Sequence, residues 1–222
     1  MERALFPMQF LRVTQGPGKG SHLGSLAIDL GGRDTGVDPV FAPFSGRVIR
    51  ERQNANGEMY LQSDGPVIWA NGTVDYMTVT LIHDSSFDVP AGAHVVQGQH
   101  IYDEGGMGSG NPHKFGNHLH LEVSRGKIVP HQVANRFGVY CTPQQVPVVD
   151  ALALGKDVTV LDGGGLPWRK VTAARTYIVQ AGDSWWRIAA RQLGSGLKWA
   201  KLKAANPGVT VLQPGMTISL EV

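Results

Sequence analysis

Two histidines alternate with hydrophobic residues in the segment 117–123, NHLHLEV. Successive side chains of a strand point to opposite faces, so His118, His120 and Glu122 are predicted to share one face of a strand. A neutral imidazole is a good zinc ligand, and a second imidazole beside it can act as a general acid or base on water. The pattern also fits half-exposed strand residues, so its interpretation depends on the rest of the chain.

A second cluster lies near the start of the chain, where His22 and Asp29 flank the start of a hydrophobic strand predicted over 26–30. Catalytic zinc usually takes three protein ligands and leaves one position open for water. His22, Asp29 and one of the pair His118 and His120 would supply that set. The alternative for Asp29 is a carboxylate that caps a turn.

The other histidines are less informative from spacing alone. His83 follows a predicted strand over 76–82 and precedes a loop, a common position for a catalytic group, although an isolated histidine there is more often a surface residue. His113 lies in a Gly- and Pro-rich loop and could line a substrate groove or simply keep that loop soluble. Three more are interpreted as ordinary surface or loop residues: His94, His100 and His131.

The elements that must position these histidines are predicted to be short strands. The 222 residues include 29 Gly and 13 Pro, which favours many turns, and no long amphipathic helix precedes about residue 180. We therefore expect a mainly β protein in which residues 1–142 form an antiparallel β-sheet domain. Residues 143–174 contain Pro147, Pro167 and three consecutive glycines, and are predicted to be a linker.

The end of the chain changes from a strand-like to a helical period and is predicted to form a small βααβ (α+β) domain over 175–222. Its predicted elements are a strand at 177–179, a helix capped by Asp183 and ending at Leu193, a helix over 198–205 and a strand at 218–220.

Charge and cysteine content narrow the function classes. Residues 1–150 carry 11 Lys/Arg against 14 Asp/Glu, a net charge of −3, whereas residues 151–222 carry 9 against 4, a net charge of +5. A cationic tail favours an anionic partner, for which nucleic acid, a membrane surface or an anionic cell wall would qualify. Cys141 is the only cysteine, so an intramolecular disulfide and a four-cysteine zinc cluster are excluded.

Several motifs together resemble the lysostaphin/LytM family of zinc endopeptidases over roughly residues 18–130. In chain order these are His22 with Asp29, FAPFSGRV at 41–48, His83 with VPAG at 89–92, VVQGQHI at 95–101, GMGSG at 106–110 and HLHLEV at 118–123. The resemblance implies that His22, Asp29 and His120 bind Zn²⁺. It implies that His83 and His118 are the two catalytic histidines, without dividing the roles between them.

One spacing departs from that family. Its first histidine and aspartate are commonly four positions apart, whereas His22 and Asp29 are seven apart. An odd spacing would place them on opposite faces of a regular strand. His22 must therefore reach the site from a loop, or a bulge must intervene.

The C-terminal part resembles a LysM carbohydrate-binding module. The resemblance begins at YIVQAGDSWWRIA, residues 177–189, and continues through Ala205-Asn206-Pro207 to LQPGM at 212–216. It implies recognition of N-acetylglucosamine-containing glycans by the loops beside the helices. The residues predicted to bind glycan are Gly182, Asp183, Ser184 and Pro207.

Together the two resemblances imply a zinc-dependent endopeptidase acting on bacterial peptidoglycan, with no nucleic-acid partner. The alternatives are a catalytically inactive wall-binding or regulatory protein, and a structural component of a phage particle. The N-terminal residues show no signal peptide and no apolar run that could span a membrane. We therefore expect a monomeric phage or prophage endolysin that stays in the host cytoplasm until lysis and then acts at the cell wall.

Overall fold

The computed structural model describes residues 1–84, 86–128, 133–134, 138, 140–171 and 176–220. The chain divides into two compact units, Met1–Lys170 and Val171–Val222. Each unit has its own cluster of buried hydrophobic side chains, as expected of independent domains.

A nine-stranded sheet forms the framework of the first unit. The strands are, in chain order, β1 Phe10–Gln15, β2 Ile28–Gly31, β3 Gly46–Arg52, β4 Glu58–Ser63, β5 Met77–Ile82, β6 His94–Val95, β7 Leu119–Arg125, β8 Gln145–Val146 and β9 Thr159–Asp162. Their order across the sheet is β9-β1-β2-β7-β5-β4-β3-β6, and β8 also pairs with β7.

The centre of the sheet is covered on both faces. Every residue of β2 and of β5 is buried, including the polar residues Asp29, Thr78 and Thr80, so burial does not alternate along these strands. In the antiparallel pairing of β7 with its neighbours, His120 lies opposite Asp29 of β2 and opposite Ile82 of β5. Residues directly opposite one another share a face of the sheet, so this register decides which side chains meet.

The sheet is mixed, whereas the sequence predicts an antiparallel one. Among the nine strands, β1 and β9 form a parallel pair with Phe10 opposite Thr159. The strand β9 comes from the segment that was predicted to be a linker, so its pairing was not anticipated. The mainly β fold class is confirmed.

Shorter elements complete the first unit. Three two-stranded pairs join Pro39–Phe41 with His100–Asp103, Val67–Ile68 with Val74–Asp75, and Val133–Ala134 with Tyr140–Cys141. The helical segments are a 3₁₀ turn at Gly20–His22 and α-helices at Gln53–Asn56 and Val148–Ala151. The largest fully buried side chains include Trp69, Tyr60, Tyr102 and Phe44.

The prediction of a linker over 143–174 is wrong for most of its length. Residues up to Lys170 belong to the first unit, and the helix Val148–Ala151 packs its buried side chains into the core of that unit. Its prolines and glycines suggested a loose connection, but they separate short elements that bury apolar side chains. Of the predicted linker, residues 172–174 lie outside the described residues.

The second unit has the predicted βααβ order. Its strands Thr176–Ile178 and Thr217–Ser219 pair antiparallel, and its α-helices span Trp185–Leu193 and Trp199–Ala204, with a 3₁₀ turn at Gly196–Lys198 between them. The first helix is capped by Ser184, whose hydroxyl accepts from the Arg187 amide, and not by Asp183 as predicted. Among the described residues, no helix has the length and apolar character needed to cross a membrane.

A small core holds the second unit together. The buried side chains are Val179, Ile188, Ala189, Leu202, Ile218 and Leu220. Asn206 ties the second helix to the last strand, because its amide donates to the carbonyls of Leu202 (2.8 Å) and Ser219 (2.9 Å) and accepts from the Ser219 amide (2.8 Å). Asn206 thus has a structural role.

A fragment ending at residue 142 is predicted not to fold, whereas a fragment ending at residue 170 is predicted to fold. The shorter fragment lacks β8, β9 and the buried side chains of Val148, Val149, Ala151, Leu152 and Leu154. Burial of one Val or Leu side chain contributes about 1.5–3 kcal/mol, so the loss is comparable with a domain's whole stability of about 5–15 kcal/mol. Thermal unfolding followed by circular dichroism would test this, and equal unfolding midpoints for the two fragments would contradict it.

Candidate metal centre

The site is built on the pairing of the two central strands β2 and β7. Asp29 and His120 lie opposite each other, and Nδ1 of His120 is 2.9 Å from Oδ1 of Asp29. Because strands at the centre of a covered sheet move little, the two ligand candidates have fixed relative positions.

The third ligand candidate comes from the loop before β2. His22 ends the 3₁₀ turn, and Gly24, with a φ of 76°, lets the chain reverse between that turn and β2. His22 Nε2 therefore lies 3.1 Å from both Asp29 Oδ1 and His120 Nδ1. The seven-residue spacing of His22 and Asp29 is accommodated by this loop, as the sequence required.

The hydrogen bonds on the far side of each ring decide what the three atoms offer. His22 Nδ1 lies 3.3 Å from the carbonyl oxygen of Gly16, and His120 Nε2 lies 3.3 Å from Glu122 Oε1. Each of these contacts places a ring N–H on the outer nitrogen, so the inner nitrogens of both rings present lone pairs. Once these inner nitrogens carry no proton, two lone pairs and a carboxylate oxygen converge, a set suited to binding a cation.

The spacing also fits a metal ion. Three atoms bound to a tetrahedral zinc at about 2.0–2.1 Å lie about 3.3 Å apart. The observed separations of His22 Nε2, Asp29 Oδ1 and His120 Nδ1 are 2.9–3.1 Å. The residues present therefore fit zinc by donor type, by number and by distance.

The electrostatics of this group favour positive charge. Burial alone would raise the pKa of Asp29, but its contacts with the rings of His120 and His22 outweigh burial and lower that pKa well below its usual value. Burial alone would lower the pKa of His120, yet the carboxylates of Asp29 and Glu122 raise it to about 9. The carboxylates of Asp29 and Glu122 attract a proton and a metal ion alike, so metal binding is expected to displace a proton.

A buried carboxylate orients His120 from behind. Glu122 is 1% exposed, and its Oε2 accepts hydrogen bonds from the Thr142 amide (2.8 Å) and hydroxyl (2.7 Å). Its Oε1 faces His120 Nε2. The sequence placed Glu122 on the correct face but assigned it no role, and Thr142 lies too far along the chain for spacing to reveal it.

The two predicted catalytic histidines lie beside the three ligand candidates. Each has its Nδ1 within 2.7 Å of a carbonyl oxygen, that of Met107 for His83 and that of Gly116 for His118. Their Nε2 atoms therefore carry the lone pairs, and His118 Nε2 lies 3.9 Å from Asp29 Oδ2. Burial is the main cause that lowers the pKa of His83 to about 4, so this ring is neutral at pH 7.

His83 is also held in an uncommon backbone conformation. Its φ is 86°, a region that non-glycine residues seldom adopt and that costs about 1–3 kcal/mol. Hydrogen bonds to the Asn56 carbonyl (2.9 Å) and from the Met107 amide (3.2 Å) fix it there. The ring centroids of His83 and His118 are consequently only 4.6 Å apart.

All five predicted site residues of the first unit open into one groove of about 670 Å³. The groove also contains residues that the sequence did not single out, because they come from distant loops and strands: Gln15, Ser21, Ser25, Asn56, Ile82, Lys114 and Phe115.

The remaining histidines lie elsewhere. His94 is an exposed partner of Asp64 (2.6 Å), and His113 is exposed in its loop. His100 lies between Asp88 (3.4 Å) and Asp103 (2.8 Å), which contact different nitrogens of its ring and form a second, exposed group of metal-ligand type. His131 lies outside the described residues.

Three of the four predicted glycan-binding residues line two separate grooves of the second unit. Gly182 and Asp183 line one, with Trp186, and Pro207 lines the other, with Trp199. Trp186 is 56% exposed and Trp199 is 43% exposed, so both contribute aromatic surface that the sequence left unassigned.

Two of these residues have structural partners of their own. The half-buried Asp183 accepts hydrogen bonds from the Tyr177 hydroxyl (2.8 Å) and the Gln180 amide (2.9 Å) and pairs with Arg191. Ser184 caps the helix. The four residues therefore do not form a single cluster.

Comparison with known proteins identifies the second unit. Residues 177–220 match the family model of the LysM domain. This part of the chain is a LysM domain. The predicted module is confirmed, and its small core and βααβ order are the ones described above.

The chain is also similar to a phage protein and to solved peptidases. The chain is 28% identical over 170 residues to Morphogenesis protein 1 of Bacillus phage B103, which covers 76% of this chain and 44% of that protein. A zinc-containing peptidase from Vibrio cholerae is 24% identical and covers 56% of this chain and 37% of its own, with a TM-score of 0.39. The catalytic domain of lysostaphin from Staphylococcus simulans is 20% identical and covers 53% of this chain and 80% of its own, with a TM-score of 0.37.

The predicted LysM domain is confirmed by the family match, and the resemblance to lysostaphin seen in the sequence is accompanied by similarity to its solved catalytic domain. The chain spans less than half of the length of the phage relative that it matches. The interpretation of the site therefore rests on its own side chains.

Replacing Glu122 by Gln is predicted to lower zinc affinity about 10- to 100-fold while leaving a stoichiometry of one ion per chain. A carboxylate accepts through both oxygens, whereas an amide accepts through one, so either His120 or Thr142 loses its partner. Competition with a chromophoric chelator would measure the affinity. The matched control is Glu104→Gln, because Glu104 is buried and accepts the amides of Gly32 (3.1 Å) and Asp38 (3.2 Å) without touching a histidine. Equal zinc affinities for the two variants would contradict the prediction.

Proposed function

We propose that this chain is a zinc-dependent endopeptidase that hydrolyses peptide bonds in bacterial peptidoglycan. The observation that supports this most directly is the convergence of His22, Asp29 and His120 on one point, with the lone pairs of His83 and His118 beside it. A cation-binding group with two histidines beside it in a groove is suited to the attack of water on a carbonyl.

The five residues divide into two groups. His22, Asp29 and His120 would hold zinc, which supplies a Lewis acid that polarises the scissile carbonyl and the attacking water. His83 and His118 touch the groove with Nε2, and their Nδ1 atoms are tied to carbonyl oxygens. One of these rings takes the proton of the attacking water, and the pair returns a proton to the leaving amine.

The LysM domain supports the choice of peptidoglycan as the substrate. A glycan-binding domain on the same chain raises the concentration of the peptidase at an insoluble wall. The described part of the second unit contains one acidic residue, Asp183, and five basic ones: Arg187, Arg191, Lys198, Lys201 and Lys203. This excess of positive charge would strengthen attachment to an anionic wall.

A phage or prophage endolysin is the biological setting that we favour. In this proposal the protein is made in the host cytoplasm and reaches the wall at lysis. The relative from a Bacillus phage supports a phage origin.

A second candidate is a component of the phage particle that carries the same peptidase. The name of the relative, Morphogenesis protein 1, favours this candidate. Immunodetection in purified virions would distinguish it from a freely released endolysin.

Replacing a zinc-ligand histidine and replacing a catalytic histidine are predicted to differ in their effects on zinc content and on wall hydrolysis. His120→Ala should lose both zinc and activity, because a ligand is removed. His118→Ala should keep about one zinc per chain and lose about 10²- to 10⁴-fold in rate, the usual contribution of a general acid or base. Release of free amines from purified peptidoglycan and metal analysis of the same samples would measure both.

The matched control is His94→Ala, which removes an exposed imidazole outside the groove and should leave both quantities unchanged. A wild-type protein that contains zinc but releases no amines would support the alternative of an inactive wall-binding protein. A zinc-free protein that hydrolyses the wall would contradict the proposed metal centre.

Removing residues 171–222 is predicted to affect insoluble and soluble substrates differently. The first unit alone should cleave a soluble muropeptide at the rate of the full chain, but should cleave intact sacculi at least about tenfold more slowly at low enzyme concentration. The difference should shrink as salt is raised, because screening weakens a cationic anchor. Equal rates on sacculi at low salt would show that the LysM domain does not act as an anchor.

A further inference from the structure

The loop of residues 105–118 forms one wall of the groove. It folds back on itself through bridges between Gly105 and His118 and between Gly106 and His113, and the Phe115 amide donates to the Gly106 carbonyl (3.1 Å). The wall is thus a defined hairpin with backbone hydrogen bonds.

Two side chains of this hairpin, those of Lys114 and Phe115, pack closely against Gly108. A Cβ atom at position 108 would lie 2.5 Å from Phe115 Cε2 and 2.7 Å from Lys114 Cδ. Both side chains therefore pack directly on the glycine backbone. Lys114 is fixed further because its ammonium group donates to Ser109 Oγ (2.7 Å) and lies 5.4 Å from the centre of the Phe115 ring.

Phe115 links this ammonium group to the proposed catalytic histidines. Its ring centroid is 4.9 Å from that of His83 and 6.1 Å from that of His118. The Phe115 ring thus lies close both to the ammonium group of Lys114 and to the rings of His83 and His118.

The charges of the groove make this position distinctive. Among the described residues that line it, Lys114 is the sole lysine or arginine and Asp29 is the sole carboxylate. Asp29 faces the metal centre, so a bound divalent cation and Lys114 would leave the groove with a net positive charge. Such a groove attracts an anionic ligand.

We propose that Lys114 binds a carboxylate of the substrate beside the scissile bond. This inference rests on the proposed function and narrows its substrate class to a carboxylate-bearing stem peptide, as opposed to an uncharged glycine bridge. An ammonium group has three donors, and Ser109 accepts one of them, so a substrate carboxylate can accept from the others. The apolar stem of the lysine and the Phe115 ring would pack against the neighbouring part of the peptide.

The test compares two forms of one substrate. Purified peptidoglycan is used untreated or after its carboxyl groups have been amidated with carbodiimide and ammonia. Zinc-loaded full-length wild type, Lys114→Met and Lys156→Met are assayed for amine release and zinc content. Lys156 is the matched control because its side chain is 91% exposed beside Asp157 and outside the groove.

On untreated wall we expect Lys114→Met to lose about tenfold or more in kcat/KM, mainly through KM, because a charge-assisted hydrogen bond is lost. On amidated wall we expect Lys114→Met and wild type to be equal. Zinc content should not change, and Lys156→Met should match wild type on both walls. The ratio of variant to wild type on each wall cancels any effect of amidation on the LysM domain.

Equal losses on both walls would assign Lys114 a purely structural role and overturn the inference, as would no loss on either. If zinc-loaded wild type hydrolyses neither wall, the proposed function fails first, and that failure is visible before any variant is compared.

Discussion

The register between β2 and β7 is the constraint on which the rest of the site depends. It places Asp29 opposite His120 on one face of the sheet, with Nδ1 and Oδ1 2.9 Å apart. A slip of one residue would turn every side chain of β7 to the other face. The buried leucines on either side of His120 prevent that slip, since they would otherwise enter the polar groove. Hydrophobic burial on one face therefore fixes the polar chemistry on the other.

The surrounding structure offsets the unfavourable free energy of burying these polar groups together. An ionised carboxylate that is 8% exposed, as Asp29 is, is unfavourable without nearby positive charge. Contacts with the imidazoles of His22 and His120 lower the pKa of Asp29, and the proposed zinc would supply positive charge. Glu122, held by Thr142, fixes the tautomer of His120 from behind. The strand β8, which follows Thr142 and pairs with β7, comes from the segment mistaken for a linker, so that segment helps to support the site.

Patterns of local sequence predicted the site better than they predicted its support. The alternation at His118 and His120 and the apolar residues beside Asp29 are local signals, and the structure brings these residues together with His22 and His83. The parallel pairing of β1 with β9 depends on residues about 150 positions apart, which periodicity cannot reveal. The cap of the helix Trp185–Leu193 shows a different limit of sequence-based prediction. Asp183 and Ser184 are both residue types that cap helices, and only the structure shows that Asp183 bonds to Tyr177 while Ser184 caps the helix.

The loop of residues 105–118 connects proposed catalysis with proposed specificity. Its Met107 carbonyl accepts from His83 and its Gly116 carbonyl accepts from His118, so one hairpin sets the tautomers of both rings. The same hairpin carries Lys114 and Phe115 against Gly108. Metal ligands on or beside central strands can stay fixed while a loop adapts to a substrate, which is the usual division between scaffold and binding loop. Here the division is incomplete, because any change that moves the hairpin to alter specificity also moves the carbonyls that orient the histidines.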